Sequence, residues 1–94
     1  MKVRVQYTAQ MRTAAGRSDE EVELEEGSSL RALLSHLAER LGPAAAAHLI
    51  TAAGETQGSL LIVVNDSAVA SRLSSTTVLR AGDVVTLLPP IAGG

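Results

Sequence analysis

The chain has 94 residues, a formal charge of −2, no cysteine and a single aromatic, Tyr7. That length suits one domain with a core of its own, and the missing thiols exclude disulfides, thiolate metal sites and a cysteine nucleophile. Eight scattered basic residues and one aromatic make no base-stacking platform for nucleic acid. No apolar run approaches the ~20 residues of a membrane span. The opening Met1-Lys2-Val3-Arg4-Val5 is neither a signal nor a transit peptide, so a cytoplasmic protein with no membrane and no nucleic-acid partner is expected.

Val3, Val5 and Tyr7 alternate with Lys2, Arg4 and Gln6, the period-two pattern of a half-buried strand. Residues 9–18 read as a turn region around Gly16. The acidic stretch 20–25, with Val22 and Leu24 alternating among glutamates, reads as a second strand with one wet face, close enough to the first for a hairpin. Gly27 ends it, and Ser28 or Ser29 suits a helix N-cap.

Leu30, Leu33, Leu34, Leu37 and Leu41 fall at helical spacing and form one apolar stripe, with Arg31, Ser35 and Glu39 opposite. The spacing predicts a main helix over about 29–41, stopped by Gly42 and Pro43. Ala44 to Leu49 suits a short helical turn, although alanine content alone decides little. Residues 52–59 read as a loop.

Leu60 to Val64 is an apolar run of strand length, expected to be covered on both faces or to touch a partner. Asn65-Asp66 supplies turn chemistry, and residues 67–70 have the length of a short edge strand. Ala81-Gly82-Asp83 marks a turn into a last strand, Val84 to Leu88, which prolines terminate. The order β-β-α-β-(β)-β is an α+β arrangement. It fits a ubiquitin-like β-grasp: a mixed sheet of four or five strands covered on one face by one main helix. Residues 1–88 form the expected domain and 89–94 a flexible tail.

That tail, Pro89-Pro90-Ile91-Ala92-Gly93-Gly94, combines prolines that stiffen it with two glycines slim enough for a narrow channel. Six extended residues span roughly 20 Å, and the last one offers a carboxylate that can be activated.

Over essentially its whole length the chain resembles the sulfur carriers of the ubiquitin-like superfamily, the MoaD/ThiS-like group typified by the small subunit of molybdopterin synthase. The resemblance is carried by VQYTAQMRTAAG at Val5–Gly16, by Val63-Val64-Asn65-Asp66, by Leu79 with Gly82 and Asp83, and by the ending LLPPIAGG. Pro-Pro-x-x-Gly-Gly in register with the Gly-Asp turn is its most specific part. Thr8 stands where the family often has a second aromatic, and Val84 where it favours an acid after Gly-Asp. Both departures bear on which partner docks.

The resemblance implies that Gly94 is joined to AMP by an E1-like adenylating enzyme and converted to a thiocarboxylate, with Gly93 giving access. The chain has no phosphate-binding loop, so the ATP is bound by that partner and the chain itself binds no cofactor. A sulfur donor system and a large synthase subunit are the other implied partners, with a pterin precursor of the molybdenum cofactor as acceptor. In that role the chain is a non-catalytic carrier subunit. Cysteine biosynthesis, tRNA thiolation and thiamine synthesis are alternative destinations, although Pro-Pro argues against the last. A ubiquitin-like protein modifier is a further alternative, and Lys2 as the only lysine leaves few points for self-conjugation.

Leu88, Pro89, Pro90, Ile91, Ala92 and Val84 are the expected partner-binding residues, on the sheet face away from the helix and at the base of the tail. Leu88 suits edge packing equally well. His36 and His48 are isolated and make no metal site. Ser74, Ser75, Thr76 and Thr77 have no base beside them for nucleophilic catalysis, and Asp83 reads as turn chemistry.

Overall fold

The first strand, β1 (Lys2–Tyr7), buries Val3, Val5 and Tyr7 and exposes the residues between them, as the alternation dictates. The computed structural model describes residues 1–89. Beyond Tyr7 the structure departs from the expected turn, because residues 10–15 coil into a short helix, α1 (Gln10–Ala15). Met11 anchors it in the core, and Gly16 ends it in the left-handed conformation (φ 76°), returning its N–H to the Arg12 carbonyl. Six residues with one buried apolar side chain leave no periodic signal to read.

Strand β2 (Asp19–Glu23) pairs antiparallel with β1, Val3 opposite Val22 and Val5 opposite Glu20. It starts one residue before the expected segment and ends two residues before its end. Helix α2 (Leu30–Leu41) is the predicted one, with Ser29 Oγ accepting from the Ala32 N–H at 3.1 Å. Leu30, Leu33, Leu34 and Leu37 are buried, and Leu41 packs at the core margin. Gly42 and Pro43 stop α2, but Pro43 also opens α3 (Pro43–Leu49), where a missing N–H costs nothing. Among the described residues the main helix α2 is thus joined by two shorter ones, with α3 inserting Ala45 and Leu49 into the core.

Strand β3 (Leu61–Val64) turns through Asn65 into the short β4 (Ser67–Val69). A 3₁₀ turn (Ser71–Leu73) and an irregular stretch lead to β5 (Val84–Leu88). That stretch is stitched to the start of α2: Leu30 N–H donates to the Thr77 carbonyl, and Leu79 N–H to the Ser28 carbonyl. Leu79 is buried there. The sheet order is β2-β1-β5-β3-β4, with β1 and β5 parallel and the other neighbours antiparallel. This is the mixed five-stranded ubiquitin-like β-grasp, with the core between one sheet face and the helices.

Candidate functional site

Strand β5 alternates between the two faces. Val85 and Leu87 are buried under the helices, while Val84, Thr86 and Leu88 lie half-exposed on the open face. Register carries that face sideways, because directly paired residues share a side of the sheet. Leu61 lies across from Leu88, Val63 from Thr86, and Ala68 from Val63. Leu61 is 63% exposed. The apolar run 60–64 is thus not covered on both faces, since Leu61 and Val63 face outward and extend the patch that Val84 and Leu88 begin.

On the other side of β5 the open face is polar. Thr86 Oγ1 donates to Gln6 Oε1 at 2.9 Å, and Arg4 pairs with Asp19 at 3.4 Å. Glu21 and Glu23 complete an acidic edge on β2. One half of the surface is charged and the other aliphatic, and the chain leaves β5 from the aliphatic half.

The root of the tail is built by a local conflict. A parallel ladder continuing past Tyr7 and Leu87 needs an N–H at residue 89 to donate to the Thr8 carbonyl, and Pro89 has none. The Met11 N–H takes that carbonyl instead, at 3.0 Å. The Leu87 carbonyl receives both the Thr8 N–H (3.3 Å) and the Thr8 hydroxyl (3.1 Å). Pro89 itself is buried. Pro90, Ile91, Ala92, Gly93 and Gly94 lie outside the described residues.

The start of β5 is fixed by a side-chain clasp. Asn65, at φ 57°, accepts the Val84 N–H on Oδ1 (3.1 Å) and donates from Nδ2 to Asp83 Oδ1 (3.2 Å). Asp83 Oδ2 accepts the Arg80 N–H at 2.8 Å. Asp83 is turn chemistry, as its position after Gly82 suggested.

The remaining polar groups do other things. Glu20, expected on a wet face, points inward and is buried. It accepts from Tyr7 Oη (2.6 Å) and pairs with Arg40 (2.6 Å) and Arg17 (3.4 Å). Burial alone raises its carboxyl, but these partners outweigh it and hold the group below the usual carboxylate range. Burial, reinforced by that carboxylate, pushes the Tyr7 phenol far above its ordinary value. The buried Ser74 hydroxyl shares a 2.7 Å hydrogen bond with Thr56, and the Thr76 and Thr77 hydroxyls cap the Leu73 carbonyl. His36 is exposed and His48 half-buried. Among the described residues no ligand-sized pocket opens and no three His, Asp or Glu converge. No described helix is long and apolar enough to cross a membrane.

Sequence reading identified Val84 and Leu88 on this face but not Leu61 or Val63 individually. Five consecutive apolar residues exceed what one covered face needs, and that excess was their signal.

The ThiS family model matches residues 5–94. No curated protein sequence matches the chain. Among solved structures, SAMP1 from Haloferax volcanii superimposes with a TM-score of 0.85 at 22% identity, all of both chains being covered. A protein described as a proposed molybdopterin converting factor subunit 1, from Pyrococcus furiosus, gives a TM-score of 0.74 at 29% identity, over 97% of this chain and 99% of that one. A chain of the BexX/CysO complex of Amycolatopsis orientalis gives 0.69 at 24% identity, over 98% and 99%.

Proposed function

The chain belongs to the ThiS family of ubiquitin-like carriers and modifiers, and from that premise we propose that it is a sulfur carrier working through the carboxyl of Gly94. The observation that carries this reading is the extent of the family match, which runs to residue 94 and so takes in Pro89-Pro90-Ile91-Ala92-Gly93-Gly94.

A carboxylate is a poor electrophile, since its charge repels nucleophiles and oxide leaves badly. In the proposed sequence an E1-like partner binds ATP, and a Gly94 carboxylate oxygen attacks the α-phosphorus, releasing pyrophosphate. A donor then delivers sulfide-level sulfur to the acyl carbon, AMP departs, and Gly94 is left as a thiocarboxylate. Residues 1–88 are the handle by which partners hold the chain, and Gly93 lets the tip enter a narrow channel. Leu61, Val63, Val84 and Leu88 form the docking patch beside the tail root, with Pro90, Ile91 and Ala92 extending it, whereas Pro89, also expected among the partner contacts, is buried and serves the tail root instead.

For the acceptor we propose a pterin precursor of the molybdenum cofactor, bound by a large synthase subunit. The Pyrococcus furiosus relative, at 29% identity, supports that choice. Cysteine biosynthesis and tRNA thiolation are alternative destinations that would use the same chemistry. The likeness to SAMP1, a small archaeal modifier protein, favours a second reading in which Gly94 is ligated to amines of other proteins. A cytoplasmic location follows from either reading, since ATP-dependent activation takes place there.

Incubation with an E1-like enzyme, ATP and sulfide, followed by intact-mass measurement, tests the proposal. The expected product is heavier by the difference between a sulfur and an oxygen atom. A chain lacking Gly93 and Gly94 gains nothing while keeping its denaturation midpoint. An unchanged mass for the complete chain overturns the carrier reading, and a ladder of conjugates in a mixture of proteins favours the modifier.

A further inference from the structure

Three features meet where β1 hands over to α1, beside the end of β5. Thr8 gives both its N–H and its hydroxyl to the Leu87 carbonyl (3.3 and 3.1 Å). Ala9 adopts φ 51°, ψ −131°, a conformation that side chains other than hydrogen resist. Gln10 Oε1 is buried with no hydrogen-bond partner. Strained backbone and an orphaned acceptor persist only where the surroundings hold them, and such places cluster at functional sites. Here both lie directly after Thr8 in the chain.

We propose that Thr8 is a positioning residue for the tail: its two donors fix the Leu87 carbonyl and so set the direction in which the chain leaves the sheet. The proposal rests on the carrier reading above, because direction matters only if the tip must reach a partner's reacting centre. Pro89 cannot return a hydrogen bond to β1, so the last parallel rung is one-sided and rests on a single carbonyl. A second donor on that carbonyl replaces the reciprocal bond that proline removes. On the opposite side of β5 the Leu61–Leu88 pair belongs to an antiparallel ladder, so Thr8 supplies the hold on the β1 side alone.

The variant Thr8→Val keeps the branched shape and the N–H but loses the hydroxyl, and Thr8→Ser keeps the hydroxyl. With the E1-like enzyme, Thr8→Val is expected to lower kcat for thiocarboxylate formation about fivefold, the size of one neutral hydrogen bond. KM stays unchanged because the docking patch is intact, and Thr8→Ser restores kcat. Thr56→Val, which removes the distant Thr56–Ser74 hydrogen bond, serves as a control for general destabilisation and leaves kcat at the parent value. An unchanged kcat in Thr8→Val, an equal fall in Thr56→Val, or failure of Thr8→Ser to restore the rate overturns the proposal. The NMR order parameter of the Leu88 amide is read in parallel and needs no enzyme. It is expected to fall in Thr8→Val and not in Thr8→Ser, and equal order in both variants overturns the clamp. If the parent chain gains no sulfur, the carrier reading fails by itself and the Leu88 order parameter still decides whether Thr8 holds the strand end.

Discussion

The Tyr7 hydroxyl donates to Glu20 Oε2 across 2.6 Å, between neighbouring strands and beneath the C-terminal end of α2. Arg40 reaches the same carboxylate from α2 at 2.6 Å, and Arg17 from the α1–β2 turn at 3.4 Å. One buried carboxylate thus ties two strands, a turn and the main helix. Removing it by Glu20→Ala strands the Tyr7 hydroxyl in the core, whereas Arg17 and Arg40 are exposed enough to turn back to water. The expected cost is about 2–3 kcal/mol, in the range for hydrogen bonds to a charged group. Tyr7→Phe removes one donor of several and is expected to cost about 1–2 kcal/mol. Urea denaturation of the two variants beside the parent measures both, and equal stabilities would mean that the cluster contributes nothing.

The same carboxylate makes stability depend on pH. Its folded-state pKa lies below the ordinary value of 4.5, so the unfolded chain binds the proton first as pH falls. The stabilisation is complete above the unfolded value and drains away as pH drops through 4.5 toward the folded value. The stabilities of the parent and Glu20→Ala should therefore converge in acid. Tyr7 behaves oppositely: its folded pKa is raised above 10.0, so its contribution is whole below that pH and declines as pH climbs beyond it. Tyr7 is the only aromatic, so the phenolate absorbance reports this one group. It should appear together with alkaline unfolding and not near pH 10.0 in the native chain.

Asn65 sits at φ 57°, where asparagine is tolerated and β-branched residues are not. It also carries both the Val84 N–H and the link to Asp83. Asn65→Gly keeps the backbone and loses the clasp, for about 1 kcal/mol. Asn65→Ala adds the left-handed penalty of about 1 kcal/mol, and Asn65→Val costs more still. Thermal denaturation should rank them in that order. A parent-like Asn65→Ala would show that neither the conformation nor the clasp matters.

How legible all this was in the sequence depended on how far each signal repeats. The leucine stripe of α2 and the alternation of β1 repeat over several residues, so both elements read correctly from residue types. Helix α1 rests on Met11 and a glycine cap, and no period can be taken from one buried residue. Glu20 was misplaced because a glutamate among glutamates looks solvated. The alternation that buries Val22 turns Glu20 inward with it, opposite Val5, where Arg17 lies only three residues away while Tyr7 and Arg40 are remote in sequence. The outward side of β3 was half-legible, since an apolar run says that something covers it but not what. Thr8 stood out only as a departure from a family pattern, and its bond to Leu87 spans 79 positions, beyond any local reading.

The Leu61–Leu88 pair separates docking from folding. Leu61 is exposed and faces no part of the core, so Leu61→Arg is expected to change stability by no more than about 0.5 kcal/mol. If the patch docks a partner, the same substitution places a charge in an apolar interface and should weaken binding at least about tenfold. Titration of the variant against the E1-like enzyme, with a denaturation curve alongside, reads both quantities. Parent-like affinity would remove this face from the docking surface.

Ala9 allows a prediction in the stabilising direction. At φ 51°, ψ −131° its Cβ is strained, by about 1–3 kcal/mol for such conformations. Ala9→Gly relieves that strain but gives the unfolded chain more freedom, worth about 0.4–1 kcal/mol against the fold. Relief exceeds this entropic loss, so Ala9→Gly is expected to raise stability by about 1 kcal/mol. Ala9→Val, bulkier at the branching carbon, is expected to lower it by more than Ala9→Gly gains. Because Ala9 separates Thr8 from Gln10, the glycine variant also asks whether the strain itself serves the tail root. A chain that is more stable yet slower to accept sulfur would show that the strained turn helps hold Thr8 against Leu87. A chain that is more stable and equally fast would show that the two hydrogen bonds suffice without it.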